Sequence, residues 1–230
     1  MKVNVQKNLM SKNDVLAVET RQQLAELGIY CINIIGSPGS GKTTLLENTC
    51  ARLQTAVRVA VIEGDIATSL DAERIAKHGV SVHQINTQGA CHLDAAMVQE
   101  AMSHFDLSQV DLLIVENVGN LVCPAGFDLG EDAKVVVLSV PEGDDKPAKY
   151  PNTFRRADAC VISKTDLLFG SDFDMQATIA TLSDINAEMA VFPLSARSTA
   201  GLDAWCEWLI SQTKNKMAIR ATAQVTRQSR

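Results

Sequence analysis

The chain has 230 residues, a net charge of −6 and 46% hydrophobic residues, a balance that suits one α/β domain with a large core. No apolar run approaches the roughly 18 residues needed to span a bilayer, and the start, Met1-Lys2-Val3-Asn4-Val5, has no signal-peptide apolar block, so a cytoplasmic location is expected. The last 17 residues hold five of the 21 basic residues and no acid, leaving 16 basic against 27 acidic residues in 1–213, and so acidic a body excludes a duplex-wrapping nucleic-acid binder.

Taken in order, Ser11-Lys12-Asn13-Asp14 followed by Val15, Leu16, Val18, Leu24 and Leu27 predicts a capped amphipathic helix in an N-terminal segment, 1–28, that ends at Gly28 and packs on the core. Residues 29–35 read as a buried strand, 43–54 as a helix, and 57–62 as a strand ending at Glu63-Gly64-Asp65. A helix over 71–78, a strand over 80–85, a helix over 93–105 and an apolar strand over 112–115 ending at Glu116 follow. The second half repeats the alternation, with strands over 133–140, 159–162 and 191–194 and helices over 173–188 and 201–213. Short apolar strands alternating with helices imply a mainly parallel sheet sandwiched by helices. Residues 214–230 are expected to form a basic, flexible tail.

Between the first strand and helix lies Gly36-Ser37-Pro38-Gly39-Ser40-Gly41-Lys42-Thr43-Thr44, which fits G-x-x-x-x-G-K-[ST] at every defined position. The glycines let backbone N–H groups curl around a phosphate, Lys42 adds a mobile positive charge, and the Thr43 hydroxyl can ligate Mg²⁺. With a strand before it and a helix dipole after it, the stretch predicts a P-loop NTPase fold over 29–213. Glu116, at the end of an apolar strand, fits a Walker B carboxylate, and Asp65 is a second candidate for the magnesium shell or for placing the attacking water. Ser163-Lys164-Thr165-Asp166 and Leu194-Ser195-Ala196-Arg197 each follow a strand and resemble the two base-contacting loops of guanine-nucleotide proteins. Lys164 and Asp166 match the usual Asn-Lys-x-Asp; Ser163 lacks the amide, so weaker contacts to guanine and to the phosphate loop are expected.

Six cysteines in a cytoplasmic chain of this length do not suggest a disulfide framework. Cys31 and Cys160 fall in strands and Cys50 and Cys206 in helices, the places of inert core thiols, and His78, His83 and His104 read as structural or exposed. Cys91-His92 and Cys123 stand in loops after strands, on the sheet edge expected to hold the nucleotide, and thiolate with imidazole suits nickel or zinc. Three ligands leave a position open for water or for a second subunit.

Together these segments resemble the HypB family, SIMIBI-class P-loop GTPases that help insert nickel into [NiFe]-hydrogenase. The resemblance rests on the phosphate loop, Glu63-Gly64-Asp65, Gly89-Ala90-Cys91-His92-Leu93-Asp94-Ala95, Glu116-Asn117-Val118-Gly119-Asn120-Leu121-Val122-Cys123-Pro124 and Gly143-Asp144-Asp145-Lys146-Pro147-Ala148-Lys149-Tyr150-Pro151. It implies a slow, switch-type GTP hydrolase that cycles between GTP and GDP, dimerises with nucleotide, binds nickel or zinc through Cys91, His92 and Cys123, and works with a HypA-type metallochaperone and the hydrogenase large subunit. In that reading Lys42, Asp65 and Glu116 carry the chemistry, and Thr43, Asp65 and Glu116 organise Mg²⁺. Residues 1–28 contain no Cys or His, so the N-terminal nickel motif of some members has no counterpart in this sequence. A urease- or cobalamin-enzyme-maturation GTPase, or a metal-binding scaffold with a vestigial NTPase, stays open beside it; a small-molecule kinase is disfavoured by Asp166.

Overall fold

The computed structural model describes residues 3–65 and 70–228, with side chains over 12–65 and 70–224. Seven strands, β1 (Tyr30–Ile35), β2 (Val59–Asp65), β3 (Ser81–Asn86), β4 (Leu112–Glu116), β5 (Ala133–Ser139), β6 (Ala159–Ser163) and β7 (Ala190–Pro193), pair in the order β3-β2-β4-β1-β5-β6-β7. Every neighbouring pair is parallel. The helices are α1 (Val3–Leu27), α2 (Lys42–Leu53), α3 (Leu70–Ala76), α4 (Ala95–Met102), α5 (Lys146–Lys149), α6 (Pro151–Arg155), α7 (Met175–Ile185) and α8 (Leu202–Gln228).

All residues of β1, β4, β5 and β6 are buried. That is why these strands read as apolar runs rather than as alternating patterns: helices cover both faces of the sheet. One face carries Cys31, Ile62 and Val115 against Leu24 of α1 and Val98 and Met102 of α4. The other carries Ile32, Ile34 and Val61 against Leu45, Leu46 and Leu53 of α2 and Trp205 and Leu209 of α8. The fully buried Trp205 donates its Nε1–H to Thr49 Oγ1 at 3.0 Å. A third cluster joins Leu138 and Ile162 to Phe154 of α6 and Leu182 of α7.

The register aligns the carboxyl ends of the central strands. Ile34 of β1 stands beside Glu116 of β4, and Glu63 of β2 stands on the other side of it. Ligands of open α/β sheets bind at this edge.

Three local expectations change. The first helix starts at Val3 rather than near Ser11, and Asn13, expected near its cap, lies inside it and reaches across to other elements, donating to Asp128 O at 2.9 Å and accepting from Ala95 N at 2.9 Å. The last helix does not stop at 213 but continues to Gln228. No Gly or Pro interrupts this stretch, and Lys216 anchors it through a 2.5 Å ion pair with Asp132, so composition that reads as a solvated tail also suits a helix. The short helices α5 and α6 were not expected; both begin with a proline in the first turn, where the missing N–H costs nothing.

Candidate nucleotide and metal site

The loop after β1 turns back on the sheet so tightly that a Cβ at Gly36 would lie 2.5 Å from the Val137 carbonyl oxygen, and Gly41, at φ +95°, sits where a side chain is strained. Pro38, Gly39, Gly41, Lys42, Thr43 and Thr44 line a cavity of about 460 Å³, and within the loop Ser40 N donates to Ser37 O at 3.1 Å. Lys42 is buried, and its Nζ donates to the carbonyls of Gly36 and Ser37 at 3.2 and 3.3 Å.

The opposite wall is acidic. Thr43 Oγ1 lies 2.9 Å from Glu116 Oε1 and 3.1 Å from Asp71 Oδ2. Glu63 and Asp65 complete the wall from β2, and Arg74 reaches it while held by Glu47 at 2.5 Å and by Asp71 at 2.8 Å. Burial pushes Glu63 up to about 8, with Glu116, Asp65 and Asp71 adding to the shift. Burial also pushes Glu116 up to about 7, against the pull of Lys42 and the Thr43 hydroxyl. Burial lowers the Lys42 pKa, and Glu116, Glu142, Asp71 and Glu63 oppose that shift. Among the described residues the buried Oε2 atoms of Glu63 and Glu116 have no hydrogen-bond partner. Unsatisfied carboxylate oxygens beside a hydroxyl are hard donors, and this set fits Mg²⁺.

Asp71 and Arg74 were not singled out from the sequence, and Glu63 entered only as part of the Glu63-Gly64-Asp65 motif, with no role at the site. Glu63 stands two residues before Asp65, and its register with Glu116 becomes visible only once β2 and β4 pair. Asp71 and Arg74 sit one helical turn apart on α3.

On the other side, the loops 163–166 and 194–197, expected to contact the base, lie beside the phosphate loop. The Ser163 hydroxyl donates to Ser40 O at 2.6 Å, and Lys164, at φ +59°, donates from Nζ to Gly39 O at 2.6 Å. Ser163 therefore keeps a tie to the phosphate loop despite its missing amide. Asp166 Oδ1 accepts from Ser195 Oγ at 2.5 Å, which joins the two loops; Ala196 is half-buried and Arg197 exposed beside them. Of these residues Lys164 reaches the wall of the cavity.

Cys91 is exposed and Cys123 half-buried, while Cys31, Cys50, Cys160 and Cys206 are buried. Burial raises Cys50 to about 12 and Cys206 to about 11, as suits inert thiols. Cys91 and Cys123 are neighbours, and the interaction with Cys123 raises the Cys91 pKa ahead of its burial. Cys91 Sγ lies 3.5 Å from His92 Nδ1. The His92 ring is held instead by Phe127, at 3.9 Å between centroids, and burial lowers its pKa. Among the described residues no three His, Cys, Asp or Glu side chains are gathered as a metal-binding group; the two thiols are together and the imidazole is beside them, turned onto Phe127. Of the remaining histidines, His83 and His104 stack on each other at 4.1 Å.

What the sheet edge holds is a glycine-rich loop facing an acidic wall, the architecture of P-loop nucleoside triphosphatases. Comparison with known proteins narrows the class. The family described as CobW/HypB/UreG, nucleotide-binding domain, matches residues 30–193, and the chain belongs to this family and, within it, to the HypB hydrogenase maturation factors. It is 46% identical to the hydrogenase maturation factor HypB of Azotobacter vinelandii over 96% of this chain and 73% of that protein. Among solved structures it is similar to HypB from Helicobacter pylori in complex with nickel, with TM-score 0.85, 40% identity and coverage of 90% of this chain and 97% of that one. HypB from Archaeoglobus fulgidus matches with TM-score 0.83, 37% identity and coverage of 88% and 99%.

Proposed function

We propose that the chain is a slow, switch-type GTP hydrolase of the cytoplasm that carries nickel, or zinc in its place, as cargo of a nucleotide-dependent homodimer. It passes nickel toward the large subunit of a [NiFe]-hydrogenase in partnership with a HypA-type metallochaperone. The observation that carries this reading is the course of one loop: it leaves β4 at Glu116, whose carboxylate touches the Thr43 hydroxyl, and ends at Cys123, beside Cys91. Nucleotide chemistry and thiol chemistry are thus two ends of one segment.

In this reading the backbone N–H groups of the phosphate loop and the Lys42 ammonium stabilise charge on the transferred phosphoryl group. Magnesium, held by Thr43 and the Glu116 and Asp65 carboxylates, supplies neutralisation of the phosphate oxygens when bound. Asp65, at the end of β2, orders the attacking water. Lys164 covers the base, and Asp166, fixed by Ser195, accepts from the guanine N1 and N2 groups. Guanine is favoured because only it offers Asp166 both of those donors, and the Ser163 hydroxyl and the Lys164 ammonium tie these loops to the phosphate loop.

The test measures mass in solution and bound nickel or zinc with a non-hydrolysable GTP analogue, with GDP and with no nucleotide, beside a Cys91→Ser/Cys123→Ser variant. The analogue should drive a dimer, and the variant alone should lose metal. Oligomer and metal content indifferent to both nucleotide and mutation would reduce the reading to an NTPase without a metal client.

A further inference from the structure

Asn33 stands in the middle of the wholly buried strand β1 with 0% exposure, and Asn117 is 1% exposed. An amide in a core is costly unless its groups are paired, so the partners show what the two amides hold. Asn117 Oδ1 accepts from both Leu93 N and Val118 N at 3.0 Å, and its Nδ2 donates to Asn33 Oδ1 at 3.1 Å. Asn33 Nδ2 donates to Glu131 Oε1 at 3.3 Å, Glu131 pairs with Lys134 at 3.1 Å, and Lys134 Nζ donates to the Phe127 carbonyl at 2.8 Å. Leu93 is the residue after His92, and the Phe127 ring carries the His92 ring. Both the backbone beside His92 and the surface beneath it are therefore tied to Asn117, which follows Glu116 directly and donates its own N–H to Ile34 O at 2.9 Å.

A second asparagine makes the matching connection to the other thiol. Gly36 of the phosphate loop forms an isolated antiparallel bridge with Asn120, and Asn120 Oδ1 accepts from Val122 N at 2.8 Å and from Cys123 N at 3.1 Å.

We propose that Asn117 and Asn120 are positioning residues that transmit the nucleotide state from the phosphate loop to the Cys91–His92 half and the Cys123 half of the metal site. The proposal rests on the metal-carrying function given above. A satisfied buried network passes a displacement on rather than absorbing it, because losing any one of its bonds strands a buried donor or acceptor. A shift of Glu116 or Gly36 thus reaches Leu93 N and Cys123 N along separate arms and changes how the two halves face each other.

The experiment measures nickel affinity of the whole chain by competition with a chromogenic chelator, under saturating GDP and under a saturating non-hydrolysable GTP analogue. Saturation keeps any change in nucleotide affinity out of the comparison. In the unaltered protein the two affinities should differ by about fivefold or more. Asn120→Ala, which removes the acceptor from a half-buried loop, should bring the ratio close to one, and Asn117→Ser should do the same where it folds. Asn120→Asp keeps the acceptor oxygen and should keep the ratio, a rescue that a merely structural role does not predict. An unchanged ratio in Asn120→Ala overturns the proposal and leaves the metal-carrying function standing. A ratio of one in the unaltered protein also overturns the proposal, whereas nickel affinity that the Cys91→Ser/Cys123→Ser change leaves untouched overturns the metal-carrying function.

Discussion

Lys42 shows how one residue is set by its place. Its ammonium lies between the carbonyls of Gly36 and Ser37 and faces a wall of four carboxylates, so it is buried yet kept close to anions, as a phosphate-binding charge must be. Lys42→Ala should lower GTP turnover by about 100-fold or more, the scale of losing a principal charge-stabilising donor; turnover equal to the unaltered protein would remove Lys42 from the mechanism. Glu63 makes a second prediction. Its pKa rises from the ordinary 4.5 to about 8, first through burial and then through the charges of Glu116, Asp65 and Asp71. A carboxyl whose folded pKa lies above its unfolded value binds more protons when folded, so its contribution to stability is lost as pH rises from about 4.5 to about 8. Thermal melts of the nucleotide-free protein should fall across that window, and Glu63→Gln should flatten the fall; parallel curves would show that Glu63 does not titrate there. That Lys42, Thr43 and Glu116 stand at the cavity was legible in the sequence, because a motif or a strand end marks them. Asp71 was not, because an acid in the first turn of a helix is already explained by the helix dipole, and only the fold shows it reaching Thr43.

At the level of elements, periodicity located the strands and long helices, whose apolar residues answer to burial on the sheet. It failed where structure depends on distant partners. Asn13 looked like a cap because its type and neighbours fit one; in the fold it clasps the 128 carbonyl and the start of α4. The end of α8 has weak apolar character, and what holds it is charge: Lys216 on Asp132, whose second oxygen accepts from Cys31 N at 3.0 Å at the start of β1. Both side chains of that pair are largely shielded, at 15% and 17% exposure, so Lys216→Ala should cost about 1–2 kcal/mol, more than an exposed pair does. The pair lies at the amino end of the strands, away from the phosphate loop. Denaturant melts should therefore shift while nucleotide affinity stays constant, and a loss of affinity would mean that α8 supports the site.

Across the whole molecule, the alternation of strands and helices was enough to predict a parallel sheet, but not its order. The order places β4 between β2 and β1, and that single fact brings Glu63, Glu116 and the phosphate loop to one point. The gathering of Cys91 with Cys123 follows from the same arrangement: their loops leave the same edge as the phosphate loop, although some 30 positions of sequence separate them. The three core clusters close without any of Cys91, His92 and Cys123, and Cys91 is exposed. A metal held there is cargo rather than a structural fastening, since structural sites contribute folding energy directly and collapse when stripped. Treating the nucleotide-free, metal-loaded protein with a strong chelator should move its melting temperature by less than about 2 °C, the shift that about 1 kcal/mol produces in a chain of this length. The same treatment in the presence of a GTP analogue should remove the metal without unfolding the chain. A drop of about 10 °C or more, well beyond a surface contribution, would place the metal among the elements that hold the fold together.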